Sequence, residues 1–483
     1  MNHDTTLLTP EAINGLAEPL PLPPSLRSKI DSSVSGPILL LIRTSLLSLV
    51  MGSLLGLICA LKLVLPFLLD GVNFLSYGRL FPVAMDLLLY GWAIPGGLAV
   101  ILWLMARLSG ASLPYTRVLT AAAHLWNSAL LLGSLAVLAG YSTSVPLLEY
   151  PHWASFILFV AFLLMGLWVV LLLKECKSQA LYVSQWYLLA ALCSFPWIYG
   201  TANMLLTWGK IEGSAQAPIQ VWYAGSFTQL WLTPIALAIT YYLLPKVTGV
   251  KIYSYYLVLL GFFSLLLFAG WSGLGFLIGG PIPAWMASAG VVTNILLFLP
   301  MIAVVLNFYH MFRQVDKITL QQSPALRFVA AGIIFYIIVT VLSMLNAFPF
   351  ANAILNFTDY TSALFLLPLL GFFGMTLFGV FYYLIPRLTQ ISWSSSWLIR
   401  SHFWFSSVGV ALLASAMILG GLIEGVALND PAINVTNILS YAAPFRWLVA
   451  ISWVVLLLGF FCFVRLLIAM RWQMIEEKVP VSF

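Results

Sequence analysis

The chain has 483 residues, of which 62% are hydrophobic and only 7% are charged. Its mean hydropathy of +1.02 excludes a water-soluble globular class and indicates an integral membrane protein. The net charge of +6 is not arranged in a basic stripe that would suit phosphates, which argues against nucleic-acid binding.

Apolar runs long enough to cross a bilayer recur along nearly the whole chain. A helix needs about 20 residues to cross roughly 30 Å of hydrocarbon. Backbone groups cannot stay unpaired in lipid, so each run must be helical. We therefore predict an all-α, polytopic membrane protein with about twelve transmembrane helices. The predicted helix cores are residues 38–68, 79–107, 117–140, 152–174, 183–206, 222–244, 254–279, 284–312, 326–347, 360–386, 402–422 and 443–470.

The positions of the charged residues predict the domain organisation and the orientation. We expect a flexible cytoplasmic N-terminal tail over 1–36, a twelve-helix transmembrane domain over 37–472 and a cytoplasmic C-terminal tail over 473–483. Cytoplasmic loops retain Lys and Arg, so the face that carries most of them should be the cytoplasmic side of a bacterial cytoplasmic membrane. Both termini are then predicted to be cytoplasmic. The cations on this face are Arg27, Lys29, Arg107, Arg117, Lys174, Lys177, Lys246, Lys251, Arg313, Lys317, Arg327, Arg387, Arg400, Arg471 and Lys478; the opposite face has mainly Arg79, Lys210 and Arg446.

Several short strings go beyond general membrane character. They are LKLVLPFLLDGVNFLSYGRLFPVAMD, AHLWNSALL, SQWYLLAAL, VWYAGSFTQLWLTPIALAITYYLLPKVTG, KIYSYYL, PIPAWMASAG, SPALRFV, FTDYTS, GVFYYLIPRL and SHFW. Together, over about residues 45–470, they resemble the catalytic subunit of haem-copper oxidases, in particular the C-family (cbb3-type) cytochrome c oxidase subunit I. The resemblance implies a bundle of twelve helices that holds a low-spin haem, a high-spin haem and a copper ion through histidines.

The metal-binding motifs of that family are changed in this chain. Where the family reads G-R-L-R-P-x-H-T-N, this chain reads GRLFPVAMD and has Ala84 at the position of a low-spin haem ligand. The family's W-Y-G-H-N becomes WYAGS, with Gly225 at a copper-ligand position. Its H-H after W-A-G-P becomes Gly275 and Phe276 in WSGLGF, and Ala269 occupies the position of the family's cross-linked tyrosine.

The last motif loses both of its histidines. T-D-W-T-I-G-H-V-H-S-G in the family becomes TDYTSALFLLP, with Leu364 and Leu366 at the two haem-ligand positions. Ala, Gly, Phe and Leu have no side-chain lone pair for iron or copper. We therefore predict no catalytic residues, no metal ligands and no cofactors, and we expect oxygen or nitric oxide reduction to be absent.

The remaining histidines do not suggest a replacement site. His124 and His402 stand where the family has histidines that are not ligands, which predicts structural hydrogen bonds. His310 lies at a cytoplasmic helix end, where a cation complements the helix dipole. His152 lies beside the outward edge of the fourth helix, and His3 lies in the tail.

Four charged residues predict a buried polar network in the outward half of the bundle. A carboxylate in a membrane helix is costly unless it is paired. Lys62 and Asp86 come to a similar depth on neighbouring helices, so we predict an ion pair between them, with extension of Lys62 to the interface as the alternative. Glu424 and Arg446 are predicted to pair near the outer surface.

Three functional hypotheses follow. The first is a cofactor-free membrane scaffold or anchor subunit of a respiratory complex, which would dock c-type cytochrome, dehydrogenase or other redox subunits. The second is a transporter, or a lipid- or quinone-binding membrane subunit. The third is a redox enzyme whose cofactor ligands have moved to other residues. The selective loss of the metal-binding motifs favours the first, although fold alone does not give function.

Overall fold

The computed structural model describes residues 23–112, 114–176, 181–209, 211–280 and 282–476. Within these residues the chain is helical and contains no strand. The predicted N-terminal tail up to residue 22, the cations Lys177, Lys210 and Lys478, and the predicted C-terminal tail from residue 477 lie outside the described part.

Twelve helices run through the described residues, as the sequence predicts. Eleven are long and apolar enough to cross a membrane, and the remaining one, α7, is shorter. Their bounds are α1 Pro24–Val64, α2 Tyr77–Ser109, α3 Thr116–Ala139, α4 His152–Lys174, α5 Val183–Trp208, α6 Gly213–Thr248, α7 Tyr255–Ala269, α8 Ala284–Phe312, α9 Pro324–Ala347, α10 Asp359–Thr389, α11 Ser396–Leu428 and α12 Val435–Gln473. Two short helices, Lys317–Gln322 and Pro349–Leu355, lie in connections.

The helices end in the way that membrane helices commonly do. Basic residues occupy the last turns of α2, α4, α6 and α10, all at one end of the bundle, which we call the basic end. The loop 140–151 joins α3 to α4 at the other end, which we call the loop end.

The first helix begins earlier than predicted. The sequence assigns residues 24–36 to a flexible tail, but α1 starts at Pro24, a residue suited to the first turn of a helix. Ile30 and Val34, in the first turns of α1, are fully buried. Asp31 accepts a hydrogen bond from Arg107 at 2.9 Å and another from the Trp103 indole at 3.2 Å. These tertiary contacts, which a hydropathy window does not register, make this part of the predicted tail helical.

Three helices form the centre of the bundle. In the most apolar window of each helix, 94% of residues are buried in α2, 83% in α6 and 94% in α10, against 33–50% in the other long helices. Neighbouring helices surround these three, so their side chains build most of the core, whereas outer helices leave apolar faces for lipid.

Each central helix contains a π-helical segment, in which the backbone hydrogen bonds widen to i→i+5. The segments are Leu87–Ala93 in α2, Phe227–Leu232 in α6 and Leu367–Phe373 in α10. They start shortly after the sequence positions of Ala84, Gly225 and Leu366, respectively. π segments are rare and commonly accompany functional sites, and these three lie beside predicted ligand positions. A fourth π segment, Met204–Trp208, lies in α5, which has no predicted ligand position.

Candidate functional site

The first candidate site is a cavity of about 270 Å³ between the central helices α6 and α10. Gly225, Phe276 and Leu364, three of the predicted ligand positions, all line it. Its polar lining comes from hydroxyl and amide side chains, and the described residues around it include no His, Cys, Met, Asp or Glu. Two of the amides already bind backbone: Asn294 donates to the Ser272 carbonyl at 2.9 Å, and Asn356 donates to the Phe276 carbonyl at 2.6 Å.

The glycines at the copper-ligand positions lie in close backbone contact. A Cβ atom on Gly225 would stand 2.7 Å from both the Cα and the backbone nitrogen of Gly273. A Cβ on Gly275 would meet the Asn294 amide nitrogen at 2.8 Å and the backbone of Gly290 at 3.3 Å. A Cβ at Gly225 therefore requires the backbone to move, whereas a Cβ at Gly275 requires the Asn294 side chain to shift and lies tightly against Gly290.

A second cavity, of about 320 Å³, lies beside the low-spin haem positions. Leu366 lines it, together with Met85, which follows Ala84 in the chain. Ala84 itself is fully buried. Phe81, at the family's arginine position, lines the cavity and stacks on Tyr77 with ring centroids 5.5 Å apart. The wall here is apolar where a haem carboxylate would require cations.

These sites do not fit the haem and copper groups of the resembled family. Hydrocarbon or hydrogen stands at all six ligand positions, and Ala269, at the tyrosine position, is buried in α7. No group of three or more His, Cys, Asp or Glu residues could hold a metal ion within the described ranges. The second cavity is lined by sulfur from Cys59, Met85 and Met417, on three different helices, and by the carboxyl groups of Glu149 and Asp359. These are the side chains on its described wall that could act as displaced ligands.

The histidines occupy other places. His402 is fully buried, and its Nδ1 lies 2.8 Å from the Tyr382 hydroxyl, which confirms the predicted structural hydrogen bond. His310 stacks on Tyr253 near the basic end, with ring centroids 4.1 Å apart. His124 and His152 are exposed, and neither lines the two cavities. The structural hydrogen bond predicted for His124 remains a prediction.

The predicted Lys62–Asp86 ion pair is wrong. The Lys62 ammonium donates to the Leu68 carbonyl, so it extends toward the loop end. Asp86 is completely buried, and its carboxyl interacts with Glu149 of loop 140–151 instead. Their positions along neighbouring helices predict that Lys62 and Asp86 lie at a similar depth in the membrane. These positions do not show in which direction a long, flexible side chain extends.

The Glu424–Arg446 pair forms as predicted. Arg446 donates to Glu424 Oε1 at 2.7 Å. Asp359, which the sequence did not single out, joins them: its backbone N–H donates to Glu424 Oε2 at 3.2 Å, and its carboxylate lies 3.9 Å from Arg446 Nε. The cluster ties α10, α11 and α12 together at the loop end.

We expect the ion pair to couple the stability of α11 and α12. In a double-mutant cycle of Glu424→Gln and Arg446→Met, the coupling free energy should be about 1 kcal/mol, because the pair is only partly exposed to solvent. The measurement is the free energy of unfolding in detergent for the four proteins. Additive effects of the two substitutions would contradict an energetically coupled pair.

Comparisons with known proteins agree with this architecture. The family described as "Cytochrome C and Quinol oxidase polypeptide I" matches residues 37–461. The cbb3-type cytochrome c oxidase subunit CcoN1 of Stutzerimonas stutzeri is 24% identical over 391 residues, which cover 79% of this chain and 82% of that protein. A cytochrome c oxidase subunit 1 homolog from the bacteroid of Bradyrhizobium diazoefficiens is 27% identical over 397 residues, covering 78% of this chain and 70% of that protein.

The fold is also that of a solved oxidase. A chain from a cryo-EM structure of a heme-copper terminal oxidase dimer superposes with a TM-score of 0.68 at 16% identity, covering 93% of this chain and 84% of the other. The family match, the twelve helices and the convergence of three vacated ligand positions on one cavity lead to the same assignment. The chain is an integral membrane protein that belongs to the cytochrome c and quinol oxidase polypeptide I family.

Proposed function

We propose that this chain is a non-catalytic scaffold or anchor subunit of a respiratory electron-transfer complex in the bacterial cytoplasmic membrane. The observation that carries the proposal is the state of the first cavity. Its wall offers amides, hydroxyls and hydrocarbon but no metal-binding side chain among the described residues. Gly225 and Gly275 also leave no space in which histidines could stand.

Conservation of the architecture without its ligands supports a role in assembly. The central helices bury their side chains thoroughly, and three π segments lie beside the predicted ligand positions. Relatives at 24–27% identity are named as subunits of cytochrome c oxidases, which are multi-subunit proteins by that description. On this proposal, the chain has kept the surfaces that bind neighbouring subunits. The proposed partners are c-type cytochrome or dehydrogenase subunits.

The first test is the absorption spectrum of the purified chain. We expect no stoichiometric Soret band and no bound copper or iron by elemental analysis, because the ligand positions contain Ala, Gly, Phe and Leu. Met85→Leu and Met417→Leu variants serve as controls for displaced sulfur ligands. A stoichiometric haem signal that is lost in either variant would reinstate a redox role for this chain.

The second test is the composition of the complex. The full chain, tagged and purified in mild detergent from the native membrane, should co-purify in fixed stoichiometry with subunits that stain for covalent haem or carry another redox group. Purification of a lone monomer from membranes that contain those subunits would contradict the scaffold role.

A lipid- or quinone-binding role is the second candidate, and one groove favours it. This groove, of about 610 Å³, is open and mainly apolar, with Trp197, Trp222 and Trp271 along its wall. Two of these indoles, Trp197 and Trp222, meet edge to face at 5.4 Å. Native mass spectrometry would distinguish this candidate: retained lipid or quinone on a monomer that recruits no redox subunit would support it over the scaffold.

A further inference from the structure

Two carboxyl groups meet in the interior of the bundle, beside the second cavity. Asp86 is the last residue of α2 before its π segment and is completely buried. Glu149, in loop 140–151, is only 6% exposed. The two carboxyl groups lie within hydrogen-bonding reach of each other.

Three of the pair's four carboxyl oxygens lack a hydrogen-bond donor, while the backbone N–H groups of Leu147 and Glu149 donate to the Glu149 carboxyl. Both carboxyl oxygens of Asp86 and the Oε2 atom of Glu149 are buried, with no donor at hydrogen-bond distance among the described residues. Ionised carboxylates are acceptors only, so two of them cannot satisfy each other. One proton placed between them makes one carboxyl the donor and the other the acceptor.

The loop holds Glu149 in place. The Tyr90 hydroxyl donates to the Leu147 carbonyl, and the Thr143 hydroxyl donates to the Leu148 carbonyl at 2.6 Å. The backbone N–H of Thr143 donates to the Glu149 carbonyl at 3.1 Å. The loop is therefore folded against α2, and Glu149 cannot simply swing into solvent.

The titratable groups that the structure describes around the pair supply no positive charge. The groups that face Asp86 electrostatically are Glu149 and four tyrosines, namely Tyr90 of α2, Tyr150 of loop 140–151, Tyr199 of α5 and Tyr223 of α6. The hydroxyls of Tyr90 and Tyr223 lie 2.7 Å apart, and the Tyr150 hydroxyl lies 3.1 Å from that of Ser134. Phenols are neutral near pH 7, so they cannot balance two carboxylates.

Two like charges buried side by side without a cation are strongly unfavourable. We propose that Asp86 and Glu149 form a proton-binding site, in which the two carboxyls hold one proton in common and exchange it with the aqueous phase at the loop end. The inference does not depend on the scaffold role, because it concerns only these two residues and their surroundings.

A path for exchange exists on one side of the pair. Glu149 lines the 320 Å³ cavity, whereas Asp86 does not. The same cavity reaches Asp359, whose side chain is 27% exposed at the loop end. Protonation adds a proton to Glu149 or Asp86 from water, and release returns it by the same route, without any other reactant. Burial also raises the pKa of Glu149 to about 7.

The unaltered protein provides the first test. Dicyclohexylcarbodiimide is an apolar reagent whose C=N bond adds a protonated carboxyl, so it labels carboxylic acids in apolar sites. We expect peptide mass spectrometry of the full chain to find the label on Glu149, with a rate that falls severalfold as the pH rises through about 7. Absence of label from Glu149 at acidic pH, or a rate independent of pH, would overturn the proposal.

Variants test whether the proton is shared. Infrared difference spectroscopy in H2O and D2O should show the carbonyl stretch of a protonated carboxylic acid at neutral pH. Asp86→Asn and Glu149→Gln should each shift or abolish that band, and Glu212→Gln, at an exposed carboxyl of the same end, should leave it unchanged. Two separate bands, each removed by only one variant, would mean two independent protons and would contradict sharing. If a variant fails to fold, the labelling result on the native protein decides.

Discussion

Gly225→Ala is expected to lower the free energy of unfolding by about 1–3 kcal/mol, the usual cost of forcing extra atoms into a packed interior. The reason is local: the new Cβ would stand 2.7 Å from two backbone atoms of Gly273. Backbone cannot turn aside as a side chain can, so α6 and the Ser272–Leu277 turn must separate. Thermal or denaturant unfolding in detergent measures the loss.

A second glycine provides the matched control. Gly166 also lies inside a helix, but its Cβ would meet Leu192 Cδ1 at an ordinary 3.6 Å. Gly166→Ala should therefore leave stability unchanged or raise it by up to about 1 kcal/mol, since alanine is the better helix former. Equal stability of the two alanine variants would show that the close approach at Gly225 does not exist.

The same contact predicts that histidines placed at the predicted copper-ligand positions would not create a copper site. A triple variant with Gly225→His, Gly275→His and Phe276→His should lose folded protein and gain no copper, because imidazoles need the space that the neighbouring backbone occupies. A folded triple variant that binds copper stoichiometrically would show that only the ligands, and not the backbone around them, have changed.

The sequence predicts the architecture well because hydrophobic length is a strong signal. Twelve apolar runs correspond to twelve helices, and the altered motifs place Gly225, Phe276 and Leu364 around one cavity. The early start of α1 was missed because its first turns are held by specific tertiary contacts, such as Asp31 with Arg107, in a stretch that is locally polar.

The partner of Asp86 was missed for a different reason. A buried carboxylate in a helix suggests a cation, and Lys62 was the cation at the right depth. Glu149 lies in a loop, more than sixty positions away, and only the folding of that loop against α2 brings it to Asp86. The local sequence shows only that Glu149 stands between the apolar Leu148 and Tyr150. That pattern does not predict which residue the Glu149 side chain contacts.

Glu149 should make stability depend on pH in an unusual direction. Burial raises its pKa from an ordinary 4.5 to about 7. Below pH 4.5 both the folded and unfolded states bind the proton, and the full stability is present. Above that pH the unfolded state releases the proton while the folded state retains it. The free energy of unfolding must therefore fall as the pH rises, until the folded state also ionises near pH 7.

The expected loss between pH 4.5 and about 7 is about 3 kcal/mol for this one group, from 1.36 kcal/mol per pH unit. Other carboxyls titrate in the same range, so the quantity to measure is the difference between the wild type and Glu149→Gln in detergent. Glutamine cannot ionise, so the variant should gain relative stability as the pH rises. The exposed Glu175→Gln should show no such trend, because solvent already hydrates its carboxylate. A constant difference between the wild type and Glu149→Gln across this range would mean that Glu149 stays ionised inside the bundle. That state is physically unfavourable because no cation among the described residues faces the carboxyl.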